Sequence, residues 1–372
     1  MDRAQLTALY RRVKEKLGPL DFSAIWPGFS RFPFALYTGE LVCMPAGIGQ
    51  SEELIPWDGR FRGNTAIEYE GGYLAIWDVE RDFTGDGTDN AALLAADLVH
   101  EMFHAYQYQS GETRFPRDVE TLDYPMRADN FTAKLAENRL IAAACKASCA
   151  EEAAQALARA CALRKARAAL IGEAMLLAET LSETAEGMAE YAGMAALRAL
   201  DPAAAQARES DDMQKLEEPG PLLYDVRRMA YFSGVALLLA ATRAGIDFMH
   251  DISREKSPVF DLVARRLPAV EELMPPEDAR IKRGAQEALD VRRREIAAFL
   301  AKRPKKTEGP FCIVGYDPMN MRKADGLIYC AHFVALKAEN ADAPRFLTGE
   351  SVLESDPADP WGVLGYYFMG EE

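Results

Sequence analysis

Histidine is scarce in this chain, with four in 372 residues. Other absences are just as informative. No apolar run approaches the length of a membrane span, which argues against a transmembrane protein. The six cysteines contain no C-x-x-C pair and read as free thiols; Cys145, Cys149 and Cys161 sit in an Ala-rich helical tract, as small core residues do, with a Cys145/Cys149 metal pair as the lesser alternative. The only dense basic run is Lys302 to Lys306, which reads as the end of a helix. With a net charge of −15, no basic patch outweighs the acidic field, so neither nucleic acid nor an anionic membrane is an expected partner. No internal repeat or low-complexity tail is apparent. The N-terminal stretch MDRAQLTALYRRVKEKLG is an amphipathic charged helix without the apolar region or cleavage site of a signal peptide, and a cytoplasmic location is expected.

What is present is enough apolar sequence, 49%, to bury a sizeable core. Four segments follow from the patterning: residues 1–80, an N-terminal helix and β-rich region; 81–260, helical; 261–305, a helical connector; and 306–372, β-rich. In the first, FPFALYTGELVCMP alternates loosely, and NTAIEYEGGYLAIWD reads as a hairpin joined at Gly71-Gly72. RDFTGDGTDN reads as a polar loop in which Asp89 or Asn90 caps the next helix. Asp82, Thr84, Asp86 and Gly87 resemble a calcium loop, but Leu93 stands where a bidentate Glu belongs, so a plain capping loop is preferred. Residues 128–200 are helical in composition, broken once near KASCAEE, where Ser148 and Glu151 have capping-box spacing; a second break falls after the tract, at DPAAAQ. YDVRRMAYFSGVALLLAATRAG and residues 276–303 are further helices. After Pro310, β-rich runs form a small sheet or join the N-terminal strands.

Two of the four histidines lie in DLVHEMFHAYQYQ, as H-E-x-x-H. Apolar residues at helical spacing place this stretch on a helix from Ala91 to about Gln109, so His100 and His104, four residues apart, project from one face and can hold one ion from one side. Glu101 projects toward the open side of that ion, where it can act as a general base toward water and deliver the proton to a leaving amine. The bland alternative is a helix with two satisfied histidines. A catalytic zinc needs a third protein ligand and a vacant position. The best candidate is Glu186 in LSETAEGMAEYAG, where the small residues Gly187 and Ala189 permit close helix packing. Glu190, one turn on, is placed to hydrogen-bond a ligand histidine. Glu190, Glu183 and Glu137 remain alternative ligands.

HEMFHAYQ with EGMAEY resembles the gluzincins of the peptidase MA clan, the thermolysin-like and aminopeptidase-like zinc peptidases. More narrowly, the chain resembles bacterial proteins that combine H-E-x-F-H-x-x-Q, E-G-x-A-E-Y and R-x-x-A-Y-x-x-G, the last matched by RRMAYFSG. The resemblance spans about residues 65 to 245. It implies an α+β zincin-like fold and Zn2+ held by His100, His104 and Glu186, with Glu101 as general base. It further implies a later-helix donor to the reaction's oxyanion, Tyr231 first, with Tyr224, Arg227 and His250 behind it. A sheet edge before the motif helix would receive extended peptide. Two departures stand out: His104 and Glu186 are 82 residues apart (186 − 104), which implies a helical insertion, and Ala185 replaces the Asn common before the Glu. No G-x-M-x-N element is present, so no exopeptidase is implied. The expected function is zinc-dependent hydrolysis of a peptide or protein. The rivals are an inactive zincin-fold binding or regulatory protein and a metal-free helical interaction protein.

Overall fold

A computed structural model of the chain describes residues 1–46, 51–80, 90–339 and 341–370. The calcium-like residues Asp82, Thr84, Asp86 and Gly87, and the capping candidate Asp89, lie outside the described residues.

The N-terminal part comprises α1 (Arg3–Leu17), α2 (Phe22–Ile25), β1 (Phe34–Tyr37), β2 (Leu41–Pro45), β3 (Glu52–Pro56), β4 (Thr65–Tyr69) and β5 (Gly72–Asp78). Asp2 opens α1 with a capping box, its side chain accepting from the Gln5 amide while Gln5 reaches back. The strands form one sheet in the order β3-β2-β1-β5-β4, antiparallel except between β1 and β5. The β4–β5 hairpin turns on Glu70 and Gly71, both at positive φ (49° and 80°), one residue earlier than the Gly-Gly pair suggests. A two-residue turn that matches strand twist needs positive φ at both central positions, and Gly72 is already the first residue of β5. Strand β3 falls within the expected β-rich region, although EELIP, short, with two Glu and no alternation, carries no strand signal of its own.

The middle is helical: α3 (Ala91–Gln109), α4 (Asp118–Thr121), α5 (Ala128–Lys146), α6 (Ala150–Ile171), α7 (Glu173–Leu200), α8 (Pro202–Glu217), α9 (Val226–Arg243) and α10 (Val259–Ala264). The 128–200 tract breaks twice, not once. One break lies at Ala147–Cys149; there Ser148 bonds Glu152 rather than Glu151, and Cys149 is the N-cap residue without a side-chain cap bond. The other lies at Gly172, whose φ of 86° only glycine adopts readily. Asn90 likewise precedes α3 without a side-chain cap bond. Asp201 caps α8, with Pro202 at its first position. Among the described residues no helix is long and apolar enough to cross a membrane.

The C-terminal part is α11 (Ala279–Ala301) followed by β6 (Lys305–Tyr316), β7 (Met321–Ala324), β8 (Leu327–Cys330), β9 (Phe333–Ala338), β10 (Arg345–Thr348), β11 (Ser351–Asp356) and β12 (Asp359–Phe368). These strands form their own antiparallel seven-stranded sheet, β10-β9-β6-β12-β11-β8-β7, and do not join the N-terminal one. Lys305 and Lys306 belong to β6 rather than to the helix end. Ile296 and Phe299 of α11 pack on Ala324, Tyr329 and Val352, while Val119 of α4 joins the other core of this sheet. The chain is thus α+β, with N-terminal strands, a helical middle and a β-rich C-terminus.

Candidate metal centre

Helix α3 packs on β4 and β5 on one side and on α7 on the other. Its apolar positions Leu94, Leu98, Met102 and Phe103 are buried. The remaining stripe holds His100 and His104, one turn apart, with their Nε2 atoms 3.0 Å from each other. Each Nδ1 faces an acceptor: that of His104 donates to Gln107 Oε1 at 2.7 Å, and that of His100 lies 3.3 Å from Glu190 Oε1. The Gln107 amide is fixed in turn, because its Nε2 donates to the Ala185 carbonyl at 3.1 Å. Proton-bearing Nδ1 atoms leave the Nε2 atoms as the ligating positions.

Glu186 completes the group. Its Oε2 lies 3.3 Å from His104 Nε2 and 3.6 Å from His100 Nε2, and this atom is buried without a hydrogen-bond partner. Its Oε1 accepts from Arg227 Nη2 at 2.8 Å. Three donor atoms spaced 3.0, 3.3 and 3.6 Å apart suit a common metal, since ligands about 2.0–2.1 Å from a tetrahedral centre lie about 3.3 Å from one another. His100, Glu101 and His104 each offer a ligand atom within 4.8 Å of the others, a grouping able to hold a metal ion.

Backbone proximity brings α7 to this place. A Cβ on Gly193 would stand 2.9 Å from the Ala96 carbonyl of α3, and one on Gly187 would stand 2.7 Å from Gly234 of α9. The glycine after Glu186 therefore serves the α7–α9 crossing, and Gly193 serves the approach to α3. Along α7, Glu179, Glu183, Glu186 and Glu190 are spaced by four, three and four, which aligns them on one face. The first two are neutralised elsewhere, Glu179 by Lys134 and Arg167 and Glu183 by Arg164; Glu137 also binds Arg164, so of the alternative ligands neither Glu183 nor Glu137 reaches the histidines.

A second ring of charge surrounds the donors. Arg208 of α8 joins Glu190 Oε2 at 3.0 Å to Asp97 Oδ1 at 2.7 Å, so Asp97, Arg208 and Glu190 form a chain ending on His100. Arg227 likewise links Asp118 Oδ1, 2.5 Å from its Nε, to Glu186. Burial pushes the Glu186 carboxyl up, but the Arg227 guanidinium, with the imidazoles close by, outweighs it and holds the group well below its ordinary range. Burial pulls His100 down, and the carboxylates of Glu190 and Glu186 outweigh it, raising the ring well above the ordinary histidine value. Burial raises Glu101, with both histidines opposing. Replacing Arg208 by methionine is expected to weaken metal binding about 10- to 100-fold, because Glu190 loses the partner that aims it at His100. A competition titration with a chromophoric chelator measures this, and an unchanged affinity would count against the chain.

The group opens into a cavity of about 740 Å³, walled by α3, α7 and α9, by residues 62–65 and Trp77 of the N-terminal sheet region, and by residues 316–319 and Phe333 of the C-terminal sheet. Six carboxylates line it (Asp97, Glu101, Asp118, Glu186, Glu190 and Asp317) against three guanidiniums (Arg62, Arg208 and Arg227), three more carboxylates than guanidiniums (6 − 3). Such a surplus in a recess favours protons on His100 or the carboxyls, or a bound cation. Tyr231 lines the cavity with its ring parallel to that of His100 (3°, centroids 5.9 Å apart), beneath the Arg227 guanidinium. Burial, reinforced by Glu186, raises its hydroxyl well above the ordinary tyrosine range.

Of the other donor candidates, Arg227 lies in the site. Tyr224 donates to the Ile281 carbonyl and His250 takes part in bonds with Arg114 and the Phe248 carbonyl, both outside the cavity. Sequence reasoning gave no role to Gln107, Asp97, Asp118 or Arg208. Gln107 carried a signal, one turn beyond His104 on the same helix. Arg208 carried none, because its role exists only once α8 folds back across α3 and α7. No family model matches this chain, and searches of curated proteins and of solved structures find no match.

Proposed function

We propose that the chain is a zinc-dependent hydrolase, a metallopeptidase of zincin-like architecture in which His100, His104 and Glu186 hold Zn2+. The observation that carries this reading is the buried, unpartnered Glu186 Oε2 facing two Nε2 atoms whose Nδ1 partners are already in place. Two imidazoles and one carboxylate with an open side form a donor set typical of catalytic zinc. When bound, zinc would supply a Lewis acid and make water acidic enough to attack near neutral pH.

The chain's own residues supply the rest. Glu101, next to the donors and in the same cavity, takes the proton of the attacking water and returns it to the leaving amine. Tyr231 presents its hydroxyl to the oxyanion that develops on the attacked carbonyl. Strand β4 pairs only with β5 among the described residues, and its first residue, Thr65, lines the cavity; extended peptide can add to this edge. Trp77 Nε1, buried and unpartnered in the same wall, is a donor for a peptide carbonyl.

The test is cleavage of a mixed-sequence peptide library by the purified chain. Hydrolysis is expected to cease in chelator and to return with added zinc. A zinc-loaded chain that cuts nothing in the library contradicts the peptidase reading.

A further inference from the structure

A second cavity, about 380 Å³, shares Asp118, Arg227, Pro318 and Met319 with the metal cleft and has the opposite character. Five cations line it (Arg227, Arg228, Arg292, Arg322 and Lys323) against two carboxylates, Asp118 and Asp225. That local excess stands out in a chain whose net charge is −15.

The five are not equally engaged. Lys323 is paired with Asp123 at 2.8 Å, and Arg227 with Glu186 and Asp118. Arg228 has its carboxylate, Asp225, at 3.4 Å and Arg322 has Glu295 at 3.6 Å; Arg228 Nε and Glu295 Oε2 are buried without hydrogen bonds. Arg227 Nη1 is also buried and unpartnered. Arg292 donates to the Tyr224 carbonyl at 3.1 Å and has no carboxylate among the described residues within 4.0 Å. Arg227 and Arg228, the latter also donating to the Met319 carbonyl at 2.9 Å, thus keep unused donors beside a cavity at the small end of ligand-site sizes, which Arg292 also lines. Arg292 is the one of the five without a carboxylate partner among the described residues, because Arg227 holds two. A carboxylate on a ligand would pair with it, because the planar fork of arginine matches a carboxylate.

We infer that this cavity, formed by Arg228, Arg292 and Arg322 beside the Arg227–Glu186 pair, is a carboxylate-binding site that takes the free C-terminus of a peptide whose chain enters the metal cleft. The substrate class it names rests on the peptidase reading, whereas the carboxylate site itself does not.

Binding is measured by titration calorimetry on the full-length Glu101→Gln chain, which isolates affinity from turnover. The probes are N-acetyl-trialanine with a free carboxylate and the same peptide as its C-terminal amide. The acid is expected to bind about tenfold or more tightly than the amide, the scale of charge-assisted hydrogen bonds. That preference is expected to collapse in both Arg292→Met and Arg322→Met, with metal content unchanged; should one variant fail to fold, the other decides. Equal affinity for the two probes, binding of neither, or an undiminished preference in the folded variants overturns the assignment. Absence of hydrolysis by the wild-type chain, with the acid preference intact, would count against the peptidase reading alone.

Discussion

Glu101→Gln is expected to retain its metal and to lose about 10²- to 10⁴-fold in hydrolytic rate, the usual contribution of a positioned general base. The amide has nearly the shape of the carboxylate, so packing around the buried position survives. The change removes the proton acceptor and leaves His100, His104 and Glu186 untouched. The loss should fall on kcat, because Glu101 acts on the attacking water and not on the bound peptide. Steady-state kinetics beside metal analysis of the same preparation separates the cases. A variant that keeps both zinc and wild-type kcat would remove Glu101 from the mechanism. Loss of zinc together with activity would instead make Glu101 a structural contributor to the site.

Arg167→Met is expected to cost about 3–5 kcal/mol of stability, the penalty for removing one partner from a buried ionic group. Lys134, Arg164 and Arg167 meet Glu137, Glu179 and Glu183 in the interior, three cations against three carboxylates. Arg167 uses all five of its donors: on Asn130 Oδ1, on Glu137, twice on Glu179, and on the Tyr124 hydroxyl. Methionine fills similar volume but removes the cation between Glu137 and Glu179, leaving Glu179 only Lys134 on Oε1 and the Tyr124 hydroxyl on Oε2. Because Glu179 and Glu183 lie on the α7 face that continues to Glu186, this network also holds the ligand-bearing helix in register. Urea unfolding of the two proteins gives the difference, and a shift below about 1 kcal/mol would mean that the network relaxes around the loss.

The parts of the fold that were legible in the sequence are those whose signal is local. The helical spacing around His100 and His104 placed them on one face of α3, and DPAAAQ marked the break between α7 and α8, where Asp201 caps and Pro202 follows. The hairpin turn was misplaced by one residue because Gly71-Gly72 offers two equivalent glycines, and only the positive φ of Glu70 distinguishes them. Glu151 and Glu152 are adjacent carboxylates, and spacing favoured the first while the chain uses the second. At the site, Glu186 was legible because a glycine follows it. What it rests against was not: the glycine meets Gly234 on α9, and Arg227, named only as a lesser candidate, is the residue that turns one Glu186 oxygen away from the histidines. The basic cavity was invisible for a related reason, since its arginines come from α9, α11 and β7, far apart in sequence and near one another only in the fold.

The central claim is that His100, His104 and Glu186 hold one metal ion. Elemental mass spectrometry of the purified chain beside His104→Ala and Glu186→Ala tests it most directly. About one zinc per wild-type chain and little in either variant is expected, with both variants still folded. A wild-type chain that takes up no zinc after reconstitution, or variants that keep it, would contradict it.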